Sequence, residues 1–102
     1  MYDYELRYSA QYEKDLDKVL DYIANKLKNP DAAVNLYYAL DHAIMERLPF
    51  CESFEPYHSK KDRANVYYRI YVGNYIIYYV VTEIEGEKVM EVRRLYNVRQ
   101  NR

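Results

Sequence analysis

Hydrophobic and polar residues change period along this chain, and the changes mark its elements. From Tyr2 to Tyr8 the pattern alternates, with Tyr4, Leu6 and Tyr8 set against Asp3, Glu5 and Arg7, which predicts a strand. Ser9 then offers an N-cap. Tyr12, Leu16, Val19, Leu20, Ile23, Ala24 and Leu27 follow at helical spacing and predict an amphipathic helix to about Lys28. Asn29-Pro30 stops that helix and starts the next, with Asn as cap and Pro in the first turn. The second helix carries Ala33, Leu36, Tyr37, Leu40, Ile44 and Leu48 on one face and ends at Pro49. So short a link predicts an antiparallel helical hairpin.

The stretch from Phe50 to Asn65 has no periodicity; it holds Pro56 and the cluster Lys60, Lys61 and Arg63. It is long for a connection in a small domain, and such loops are often functional. Three β-type runs close the chain, turned at Gly73-Asn74 and Glu85-Gly86. The order is β-α-α-β-β-β. It predicts an α+β fold, an antiparallel sheet with the helical hairpin packed on one face. A chain of 102 residues with no repeat and no low-complexity linker reads as one domain, residues 1–102.

Composition narrows the function classes. Half the residues are hydrophobic and the net charge is −1, so no global basic field draws the chain to nucleic acid. The charge is uneven, however. Residues 1–50 carry nine acids and six bases, residues 51–102 seven acids and nine bases. From Lys88 onward Glu91 stands alone against Lys88, Arg93, Arg94, Arg99 and Arg102. An aromatic sheet with cations gathered at one end suits an anion, either a nucleic-acid backbone or an acidic partner.

The apolar run from Tyr75 to Val81 is about a third of the roughly 20 residues a membrane helix needs. With one cysteine, Cys51, and a charged, aromatic start, the chain is expected to be cytoplasmic, with no membrane partner. Cys51, His42 and His58 lack metal-ligand spacing, and no Gly-rich phosphate loop is present, so neither metal nor cofactor is expected. Cys51, between Phe50 and Glu52, reads as a passive thiol rather than the partner of His58.

The remaining candidates for chemistry are Arg69, Arg94, Tyr96 and Arg99, with Glu55 and His58 from the loop as weaker members. Arginine stays charged at physiological pH, so it grips phosphate and stabilises developing charge but does not act as an ordinary base. Tyrosine is about 0.1% ionised at pH 7 unless a cation lowers its pKa, and His58 is the near-neutral titrator of the loop. Each also has a plain structural use: an outward cation on a solvated strand, a charged tail, an exposed loop residue, a packing tyrosine.

Taken together, the order and spacing resemble the RelE/ParE superfamily of bacterial toxins from type II toxin–antitoxin modules. The resemblance covers nearly the whole chain. It is carried by the opening YELRYS strand, the helical hairpin broken by Asn29-Pro30, the block from Arg69 to Val80 with its Gly73-Asn74-Tyr75 turn, and the segment from Val92 to Asn101. It implies growth arrest and silencing by a cognate antitoxin whose C-terminal segment wraps the toxin. RelE-type members cleave messenger RNA on the ribosome, whereas ParE-type members poison DNA gyrase.

By that resemblance Arg69 matches the strand cation, Arg94 the arginine of the last strand and Arg99 the tail arginine. Ile76 stands where RNA-cleaving relatives carry an arginine, and Asn97 stands where the ParE-like pattern has His. The strand pattern sits nearer ParE. The implied function is therefore gyrase inhibition, with ribosome-dependent mRNA cleavage and an inactive, antitoxin-binding relative as the alternatives.

Overall fold

The computed structural model describes residues 3–57 and 66–99. Strand β1 (Tyr4–Tyr8) leads into helix α1 (Ala10–Asp21), which continues as a π-helical turn over Tyr22–Lys26. Helix α2 (Pro30–Arg47) ends in a 3-10 turn at Leu48–Phe50, and strands β2 (Tyr67–Val72), β3 (Tyr75–Ile84) and β4 (Glu87–Asn97) follow. The β-α-α-β-β-β layout is the one expected from the periodicity.

The capping residues act as their types predict. Ser9 Oγ accepts from Tyr12 N–H at 3.0 Å, and Asn29 Oδ1 accepts from Ala32 N–H at 3.1 Å, so each satisfies an orphan amide at a helix start. Between the helices Lys28 takes φ +54°, a left-handed conformation that ends the first helix at a cost of about 1–2 kcal/mol for a residue with a Cβ. Gly73 at φ +56° and Gly86 at φ +81° make the two hairpin turns, where a left-handed backbone favours glycine.

The strand order is β1-β4-β3-β2. The three C-terminal strands are antiparallel, as the tight turns require, but β1 joins β4 in parallel, with Leu6 opposite Met90 and Tyr8 opposite Val92. The sheet is therefore mixed rather than wholly antiparallel. A parallel neighbour needs a long crossover, and here the helical hairpin and two strands supply it.

One face of the sheet and the helices share the core. Tyr68, Ile70, Ile77, Tyr79, Met90, Val92 and Leu95 pack with Tyr12, Leu40, Ile44, Leu48 and Cys51. Burial of each such aliphatic side chain contributes about 1.5–3 kcal/mol. Two positions assigned to the core by helical spacing lie outside it: Tyr37 is 45% and Leu27 is 56% exposed.

A partly buried polar tie joins the end of α2 to this core. Arg47 Nη1 donates to the Arg69 carbonyl (3.2 Å) and to Tyr79 Oη (3.0 Å), and the Tyr79 hydroxyl donates to the Cys51 carbonyl (2.7 Å). The Arg47 guanidinium also lies 3.5 Å from the centre of the Phe54 ring.

Candidate functional site: a tyrosine–arginine face

Strand alternation sends the partners of the core residues to the second face of the sheet. On β2 these are Tyr67, Arg69 and Tyr71; on β3, Ile76 and Tyr78. On β4, Tyr96 and Arg94 stand opposite Ile76 and Tyr78. Tyr57 joins them because its segment forms an isolated antiparallel bridge with Tyr67.

The side chains touch in series. The Arg69 guanidinium lies 4.5 Å from the Tyr57 ring centre and 5.7 Å from that of Tyr71. Tyr57 and Tyr78 are 5.7 Å apart, Tyr78 and Tyr96 meet edge to face at 5.5 Å, and Arg94 lies 4.7 Å from Tyr96. Cations over ring faces and tilted ring pairs are both attractive arrangements. An open cavity of about 410 Å³ sits at this series, lined by Tyr57, Tyr67, Tyr78, Tyr96, Arg93, Arg94, Ser9 and Gln11.

A β-bulge shapes the β4 side. Tyr78 pairs with Arg94 and Tyr79 with Val92, so Arg93 is the extra residue. Helix α1 secures the irregularity from outside the sheet: Ser9 Oγ donates to the Arg93 carbonyl (2.9 Å), and Asp15 accepts from the Leu95 amide (3.0 Å). The bulge brings both arginines to the cavity.

Each of those arginines already holds a carboxylate. Arg94 donates from Nε (2.8 Å) and Nη2 (3.4 Å) to the two oxygens of Asp15. Arg93 donates from Nε to Glu91 (2.6 Å) and from Nη1 to Tyr67 Oη (3.4 Å). The Asp15 side chain is only 11% exposed. Burial alone would raise its pKa, but the bonds from Arg94, Leu95 N–H and Gln11 outweigh burial and hold it below the ordinary carboxylate value. Burial pushes the Tyr78 phenol up, against the opposing pull of Arg69. Arg69 has no ion-pair partner among the described residues.

Of the residues singled out in the sequence, Arg69, Arg94 and Tyr96 come together on this face. Arg99 lies in the exposed turn after β4, its backbone N–H donating to Asn97 Oδ1 (2.9 Å). Glu55 is exposed in the loop after the 3-10 turn, and His58 lies outside the described residues. Cys51 is fully buried, and burial pushes its thiol up to about 11.

Sequence reasoning missed Tyr57, Tyr78, Arg93 and Asp15. Alternation could have found Tyr78, which shares a face with Ile76 and Val80. No local signal pairs Asp15 with an arginine 79 positions away. Among the described residues no three His, Cys, Asp or Glu side chains converge to hold a metal ion, and no helix is long and apolar enough to cross a membrane.

A helical hairpin on one side of a four-stranded sheet is the layout implied by the likeness to RelE/ParE toxins, and in this chain arginines and tyrosines lie on the other side. A family model described as the ParE toxin of the type II toxin–antitoxin system, parDE, matches residues 6–102, and the chain belongs to that family. It is thus a toxin of the kind that pairs with an antitoxin. No individual curated protein matches the chain.

Proposed function

We propose that this toxin arrests growth by binding DNA gyrase, using the β4 end, the following turn with Arg99, and the tyrosine–arginine face. The observation that carries the reading is the Asp15–Arg94 pair. An arginine whose Nε and Nη2 are already engaged by a carboxylate is poorly free to stabilise a pentavalent phosphorus. Among the described residues the face carries no histidine: burial raises the Tyr78 pKa, and His42 sits on α2 beside Glu46. A surface of this composition favours recognition, with tyrosine and arginine as its anchors. The antitoxin is proposed to be an amphipathic, acid-rich segment, so high salt should weaken the charged part of that complex.

The test is brief induction of the chain in bacteria with labelled precursors of protein and DNA, together with gyrase supercoiling by purified toxin. Prompt loss of DNA synthesis with inhibited supercoiling is the expected result. Loss of protein synthesis with messenger RNA cut on the ribosome would overturn it, most directly if Arg94→Ala/Tyr96→Phe stops the cutting without unfolding the protein. In that event Arg69, Arg94 and Arg99 become phosphate ligands. Unchanged growth and labels with soluble protein would leave an antitoxin-binding relative.

A further inference from the structure

We infer that Asp15 and Glu91 are specificity determinants that turn the tyrosine–arginine face away from single-stranded nucleic acid and toward a protein. The inference rests on the protein-directed reading above and explains it at the level of individual charges.

Without its acids the face has the parts of a strand-binding surface. Tyr57, Tyr78 and Tyr96 form a row of rings, and Arg69, Arg93 and Arg94 lie among them. Rings that stack on bases, interleaved with cations that follow the phosphates, make up a sequence-tolerant single-strand site. The two carboxylates occupy guanidinium donors that a phosphate would use. Arg94 spends Nε and Nη2 on Asp15, and Arg93 spends Nε on Glu91. These are the charge-assisted contacts by which arginine grips an oxyanion.

The balance of charge then leaves a polyanion little to hold. Among the described residues three guanidiniums face two carboxylates, a net charge of +1 in place of +3, and an incoming phosphate meets a carboxylate within a few ångströms of each paired arginine. Counterion release, which supplies most non-specific affinity for nucleic acid, scales with the phosphates neutralised and is correspondingly small here. A protein partner is less affected, because ring packing and neutral hydrogen bonds survive the pairing. Asp15 reaches the site from helix α1, so the control is imposed on the sheet by another element of the fold.

The test is binding of a short fluorescent single-stranded RNA, and of the DNA of the same sequence, followed by anisotropy across a salt series. Wild type is compared with Glu91→Gln, Asp15→Asn and the double variant, each shown to be folded by circular dichroism. Removing one carboxylate is expected to tighten binding about tenfold at low salt, as for one unit charge about 6 Å from a phosphate at an effective dielectric of about 40. The log–log salt slope should steepen by about 0.7 for each phosphate newly neutralised. Adding Tyr78→Leu should remove much of the gain, and RNA and DNA should behave alike because rings and phosphates are common to both.

If Asp15→Asn fails to fold, Glu91→Gln carries the test alone, since Glu91 is a partly exposed residue of the sheet. Folded variants with no gain overturn this inference and leave gyrase binding standing. Wild-type protein that already binds the strand as tightly as the double variant also overturns it. The gyrase assay judges the underlying reading separately.

Discussion

Tyr79→Phe removes a single oxygen from the core, and its cost can be worked from the contacts of that oxygen. Tyr79 is fully buried and stacks on Tyr68, with ring centres 5.1 Å apart and planes inclined by 13°. The ring stays in phenylalanine, so the packing changes little. The hydroxyl, however, donates to the Cys51 carbonyl at 2.7 Å and accepts from Arg47 at 3.0 Å. Its loss strands a carbonyl in the core, at about 1–3 kcal/mol, and takes one charge-assisted bond from Arg47, which keeps the Arg69 carbonyl. A total of about 2–3 kcal/mol is expected, because relief of the buried hydroxyl offsets part of the sum. For a domain near 100 residues that lowers Tm by roughly 10–20 °C. Urea denaturation at constant m-value measures it, with Tyr71→Phe on the second face as a control expected to change stability by less than about 0.5 kcal/mol. A Tyr79→Phe protein within about 0.5 kcal/mol of wild type would refute the reasoning, since the Cys51 carbonyl would then have another partner.

Other outcomes follow from individual contacts. Because Asp15 has a depressed pKa, its contribution is present above the ordinary carboxylate pKa of about 4 and is lost as pH falls through the depressed value. Denaturation curves of Asp15→Asn should accordingly lose part of the acid dependence seen in wild type; equal dependence in both would refute the assignment. Cys51, buried with its thiol pushed up to about 11, should react with a thiol reagent at pH 8 at least roughly two orders of magnitude more slowly in the native protein than in denaturant. Native and unfolded protein labelling at one rate would count against that burial. Arg69→Ala should cost about 0.5–1 kcal/mol through its ring contacts. Gyrase inhibition should fall about tenfold, equivalent to about 1.4 kcal/mol of binding. A melting shift with inhibition intact would make Arg69 a structural residue only.

Local residue patterns determined a good deal of this protein. Period-two alternation in Tyr2 to Tyr8 and three β-type runs between tight turns in the last third placed the strands, helical spacing placed Tyr12, Leu40 and Ile44 in the core, and Ser9, Asn29, Gly73 and Gly86 set the boundaries. These features are legible because caps, turns and amphipathic periods act over a few residues of chain. The local pattern did not say that Arg69 and Tyr96 share a face, which the pairing of β2, β3 and β4 decided. It was silent on strand order. Only the assembled sheet decided that β1 lies parallel to β4, that the bulge falls at Arg93, and that Tyr57 swings under Arg69. Above all, it decided that Asp15 holds Arg94. A period reports which side of an element is apolar, whereas the partner of a charge depends on which surfaces meet across the fold, here a helix and a strand separated by most of the chain.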